Sequence, residues 1–180
     1  EVFCTLFEKA YEQVQHGERL LDLRDTLDSV AVARKGQVTR SVQEHKVRQL
    51  TALGWEGGLE TFNQAIKDLR TASYIVLAST SGCRNHELAN VKAGAHHRTE
   101  DDEGTVFHWL RSTSEKTDTG VHDWMIPEIA VHVLRLMERW AEPYQAMIDA
   151  EICERRKLNS SDPQIATAQK HRHALFLGVA

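Results

Sequence analysis

Cysteine is scarce in this chain, and its placement excludes more than it suggests. Cys4, Cys83 and Cys153 stand far apart and are odd in number, and no Cys-x-x-Cys pair occurs. Neither a structural zinc site nor a disulfide framework is expected from them, and a reducing cytoplasm is the expected compartment. No apolar run approaches the roughly 20 residues that a membrane-spanning helix needs. There is no internal repeat and no low-complexity segment, and no charged-then-apolar leader is expected. Net positive charge is also lacking: the 180 residues carry a formal −4. Taken alone, that balance argues against a general nucleic-acid binder, which is usually basic. What remains is a globular composition, 41% hydrophobic and 27% charged, of a length suited to one domain or to one domain with a helical extension.

Hydrophobic spacing predicts mostly helices. Val2, Phe3, Leu6, Phe7, Ala10, Tyr11 and Val14 form one helical stripe, and Leu20, Leu23, Leu27 and Val30 a second. Gly17 lies between them, so residues 1–33 read as two helices or one interrupted helix. Arg34-Lys35-Gly36 reads as a helix end with a turn. Ser41-x-x-Glu44 has the form of a capping box before Val47, Leu50 and Leu53, and Gly54 ends that helix. The expected division is an N-terminal helical extension or linker over 1–36 and a main domain over 37–180. Between Ser29 and Trp55 the bases Arg34, Lys35, Arg40, Lys46 and Arg48 face the single acid Glu44. This local +4 is either a solvated helix face or a strip that contacts phosphates.

After Gly57-Gly58 a third apolar stripe runs through Leu59, Phe62, Ile66, Leu69, Ser73 and Val76. It becomes almost wholly apolar at Ala72–Ala78, the pattern of a helix end inside a core. Ser79-Thr80-Ser81-Gly82 reads as a break made of turn-formers, followed by a short helix from about Cys83 to Asn90. The pattern then becomes strand-like. Val91–His97, Thr105–Leu110 and Val121–Ile126 read as strands. The acidic run Glu100–Glu103 is expected in a solvated loop, and Arg111–Gly120 in a polar turn that includes Ser112, Thr113 and Ser114. Pro127 suits the first position of a helix whose buried stripe is Ile129, Val133, Leu134, Met137 and Trp140. Pro143 is expected to interrupt that helix, and Pro163 to start a last short one. The fold class predicted is α+β, mainly α-helical, with one small antiparallel sheet of about three strands.

The most informative segment is Ser81-Gly82-Cys83-Arg84-Asn85-His86-Glu87-Leu88, closed by Val91. An apolar helix ends in a glycine turn, and an arginine then stands at the start of a new helix with Glu87 three positions on. A guanidinium there offers a planar fork of donors suited to a phosphate, and a helix start adds partial positive charge. An ordinary surface pair of Arg84 with Glu87 is the plainer alternative. Ten histidines, among them His96-His97 and His171-x-His173, show no metal-ligand spacing and read as surface residues. No metal or other cofactor is predicted.

In order and spacing this segment resembles the first arginine motif of the tyrosine recombinase (phage integrase) family. The layout that follows is also similar: strand Thr105–Leu110, then Lys116-Thr117, then strand Val121–Ile126 closed by Pro127. The likeness covers about residues 57–142 closely and continues weakly to Leu175-Phe176. It implies an integrase-like DNA breaking-and-rejoining catalytic domain that acts in site-specific recombination, with double-stranded DNA as partner; the alternatives are a non-catalytic DNA-binding relic of the fold or a helical protein-interaction domain. By the resemblance Arg84 is a phosphate-binding catalytic arginine, Lys116 the general acid that protonates the leaving 5′-oxygen, and Glu87 a support for the arginine. Arg34, Lys35, Arg40, Lys46 and Arg48 then become DNA-contact candidates. The family's His-x-x-Arg motif is not found at its expected place, since Lys170-His171-Arg172-His173 precedes Leu175-Phe176 and has the wrong spacing. Tyr11, Tyr74 and Tyr144 all lie upstream of where the nucleophile should be, and Tyr74 reads as core. The chain is therefore expected to be an incomplete catalytic domain, inactive and monomeric by itself, from a protein that works as a tetramer on DNA.

Overall fold

The structure is a computed structural model that describes residues 2–33, 39–114 and 120–177. Its order is α1 (Val2–Gln15), α2 (Gly17–Ala33), α3 (Thr39–Ala52), α4 (Leu59–Ser81), α5 (Asn85–Ala89), β1 (His96–Glu100), β2 (Val106–Ser114), β3 (Gly120–Ile126), α6 (Glu128–Leu158) and α7 (Pro163–His171). This is a mainly helical α+β chain with one three-stranded antiparallel sheet in the order β1-β2-β3. It divides into two compact units, Glu1–Ser73 and Tyr74–Ala180. The boundary expected between residues 36 and 37 falls outside the described residues.

The first unit is a set of packed helices. His16 separates α1 from α2. Of the first stripe only Ala10 and Val14 are buried, whereas Val2, Phe3 and Leu6 are exposed. Leu21, Leu23 and Leu27 of α2, Leu50 of α3 and Phe62, Ile66 and Leu69 of α4 supply the core. Ser41 does not cap α3, because the helix already runs from Thr39; Glu44 instead pairs with Arg40 one turn earlier. The far end closes as expected. Gly54 takes a positive φ of 78°, and the N–H of Trp55 reaches back to the Leu50 carbonyl at 2.9 Å, a Schellman closure that satisfies the last carbonyls.

In the second unit the serine–threonine run behaves differently from its local propensity. Ser79, Thr80 and Ser81 continue α4, each hydroxyl donating to the carbonyl four residues back at 2.7 Å. Satisfied along the helix, these hydroxyls do not compete with its backbone ladder. The break comes from Gly82 alone, whose φ of 68° lies in the left-handed region.

The strands also shift from their expected places. Val91 is not in β1: its carbonyl accepts the Leu175 N–H at 3.0 Å, and Lys92 forms an isolated bridge with Ala174. β1 starts at His96 and runs through Glu100, so the acidic loop is left with residues 101–105, turned by Asp101 Oδ1 accepting the Glu103 and Thr105 N–H groups. β2 extends to Ser114 instead of ending at Leu110. Ser112 and Ser114 are buried strand residues, which corrects their reading as turn residues. Alternation explains this, since Leu110, Ser112 and Ser114 all face inward at period two. Pro143 sits inside α6 without ending it. The buried face of α6 is wide, including Ala130, Val133, Leu134, Met137 and Trp140. Asp162 caps α7 by accepting the Gln164 N–H at 2.9 Å, with Pro163 at the first turn.

Candidate functional site

Arg84 lies two residues past the glycine turn and caps α5 from an extended conformation, φ −75° and ψ 156°. Arginine has no acceptor, so its side chain cannot serve as a helix cap. The capping is done from below. Glu87 Oε2 accepts the Arg84 N–H at 2.7 Å, while the Arg84 carbonyl accepts the Glu87 and Leu88 N–H groups at 3.0 Å each. This occupies the N-cap amide with a carboxylate. It leaves little of the anion-attracting helix start that the sequence suggested, because α5 has only five residues. Phosphate affinity here would rest on the guanidinium, which is exposed and makes no hydrogen bond or ion pair to another described residue.

Glu87 itself is only 5% exposed. The Arg84 N–H, then the Ser114 hydroxyl and the charges of His86 and Arg84, hold its carboxyl below the usual carboxylate range against the opposing effect of burial. The Glu87 carbonyl accepts the Ser112 hydroxyl at 2.6 Å. His86 Nε2 lies 3.3 Å from Ser114 Oγ and 3.8 Å from Glu87 Oε1. One buried acid thus joins the arginine turn to the inward face of β2.

Above this junction is an open recess of about 440 Å³, lined by Gly82, Arg84, Glu87, Ser114 and residues 122–124 of β3. The register sets β3 here: Ser112 pairs with His122 and Leu110 with Trp124. The rings of His122 and Trp124 are 5.8 Å apart. Asp123 also borders the recess, and Arg111 holds it with two bonds of 2.9 and 2.8 Å. That pair holds the Asp123 carboxyl below its usual range. Sequence reasoning missed His122, Trp124 and Ser114 as site residues. The signal was the alternation through β3, which places 122 and 124 on the face shared with buried Ile126.

Lys116, Arg34 and Lys35 lie outside the described residues. The strand ends that flank Lys116, Ser114 and Gly120, are paired with each other, and Ser114 lines the recess beside Arg84. In the first unit Arg40 and Arg48 share one exposed face of α3 with Glu44; Arg40 bonds that acid at 3.1 Å, and the Arg48 side chain bonds its carbonyl at 3.4 Å. Lys46 reaches Asp28 of α2 at 3.3 Å.

Tyr74 is half-buried rather than core. Its hydroxyl donates to the side-chain and main-chain oxygens of Asn85, and its ring meets Phe176 edge-on at 5.1 Å. Burial raises its phenol pKa, the wrong direction for a nucleophile. Arg172 is tied to Asp149 of α6 at 2.9 Å. Among the described residues no group of three His, Cys, Asp or Glu side chains could hold a metal ion, and no helix is long and apolar enough to cross a membrane. A scan against protein-family models and a search of curated proteins both find no match.

Proposed function

We propose that this chain is part of a DNA breaking-and-rejoining domain of the tyrosine recombinase type, and that Arg84 contacts a backbone phosphate of duplex DNA. One observation carries the reading: an exposed guanidinium without a described partner stands at the mouth of a recess. Its backbone is braced by buried Glu87, and the recess is also lined by Ser114, the last described residue before the segment that contains Lys116. Donors fixed beside a scissile phosphate stabilise charge as it develops in the transition state. A lysine two residues beyond Ser114 is close along the chain to the same recess, and it would supply the proton for the leaving 5′-oxygen. The nucleophilic tyrosine and the second arginine of such a reaction are not assigned to any residue of this chain.

The test is a binding titration with duplex DNA at several salt concentrations. Arg84→Ala and Lys116→Ala should each weaken binding and flatten its salt dependence by about one ion per lost phosphate contact. Unchanged affinity and slope in both variants would remove the proposal.

A second reading, a helical protein-interaction domain, is favoured by the first unit. Val2, Phe3 and Leu6 are exposed on one helical stripe, and a recess of about 520 Å³ is lined by Leu20, Leu23, Trp55 and Leu69 among others. It predicts no DNA affinity even at low salt.

A further inference from the structure

Among its described residues the recess beside Arg84 holds little net positive charge. Arg84 contributes one positive charge and Glu87, directly below, one negative charge. Asp123, also in the lining, is balanced by its ion pair with Arg111. Apart from Lys116, which lies outside the described residues, and from the imidazoles, the lining is close to electroneutral, and such a lining holds a phosphodiester monoanion weakly. Two imidazoles could change that balance. His86 is turned to the interior, against Ser114 and Glu87. His122 is half-buried, lines the recess itself, and stands on the inward face of β3 beside the Trp124 ring.

We propose that His122 is a second phosphate-contacting residue of this recess, and that it acts as an imidazolium. This rests on the reading of Arg84 as a phosphate ligand and adds to it a dependence on pH. The groups that bear on His122 are Arg84 and Glu87 at the start of α5, His86 on α5, Ser112 and Ser114 on β2, and Asp123 and Trp124 on its own strand. A bound phosphodiester adds a further negative charge and shifts the ring toward the protonated form. Proton and phosphate therefore bind cooperatively, and each raises the affinity for the other by the same factor.

The experiment has two arms. In the first, the binding of a short labelled DNA duplex is followed at constant ionic strength from about pH 5.5 to about pH 8.5, across the range in which histidine changes charge. The wild-type affinity should fall by about tenfold as the imidazolium is lost. His122→Gln should bind with the weaker, alkaline affinity at every pH, whereas His86→Gln should keep the slope. A full slope in His122→Gln overturns the inference. Arg84→Ala separates the two claims: if its affinity is wild-type at every pH, the phosphate reading of Arg84 fails, whatever His122 does. In the second arm the His122 ring is titrated by NMR with and without the duplex. Its pKa should rise on binding, and an unmoved pKa overturns the inference even if Arg84 proves essential. Retained backbone spectra of His122→Gln show whether that variant still folds.

Discussion

The Glu87 carboxylate accepts the backbone N–H of Arg84 at 2.7 Å while almost sealed from water. The acid therefore fixes where the arginine begins and leaves the guanidinium without a partner among the described residues. The same residue receives the Ser112 hydroxyl on its carbonyl, so two segments that meet at the recess share one anchor.

Loss of that anchor should be visible in stability. Glu87→Ala leaves the Arg84 N–H and the Ser114 hydroxyl without their acceptor in a buried place, which costs about 1–3 kcal/mol. Glu87→Gln keeps one acceptor oxygen and should lose less. Urea denaturation of both variants checks the order; equal stability of Glu87→Ala and wild type would contradict it.

Acid should loosen the same junction. The folded-state pKa of Glu87 is depressed, so its contribution is complete above the ordinary carboxylate range. It is lost as pH falls through the lower, folded value. Melting temperatures measured down an acid series should drop more steeply for the wild type than for Glu87→Gln. Parallel curves would show that Glu87 titrates alike in both states.

Gly82 tests the turn that ends α4. Its φ is positive, yet a Cβ there would meet no atom within 4 Å. Gly82→Ala should therefore destabilise through backbone conformation alone, by about 1–2 kcal/mol. Gly82→Asn should cost less, since asparagine visits this region more readily. Thermal melts that rank alanine above asparagine would refute the argument.

Pro143 gives a prediction of opposite sign. It lies within α6 and has no N–H to donate along the helix. Pro143→Ala should raise stability, by up to about 3 kcal/mol. A fall in melting temperature would mean that ring packing outweighs the missing donor.

The core of the second unit should respond most strongly. Leu110 is fully buried at the centre of β2, and Leu110→Ala should cost about 2–5 kcal/mol. Chemical denaturation measures this directly, and a loss under 1 kcal/mol would place Leu110 in a site that collapses easily.

Much of this architecture follows from periodicity that any reader of the chain can count. The helical stripes, the glycine that closes α3, the proline that opens α7 and the strand ending at Ile126 are local features. Each is set by side-chain spacing or by one residue's backbone preference. Ser79–Ser81, Ser112 and Ser114 were not legible, because serine and threonine suit turns unless a carbonyl or a buried partner takes their hydroxyls. In this fold the α4 carbonyls take the first three, and Ser112 and Ser114 bond to Glu87. Pro143 misled in the same way, since a single missing donor does not end a helix held by a wide apolar face. Sequence alone determined which residue types stand at Arg84 and Glu87 and the helical and strand segments around them. Only the tertiary structure decided that Glu87 turns inward to brace the arginine, and that His122 and Trp124 join it at one recess. Those relations depend on the strand register and on burial, which no local pattern encodes.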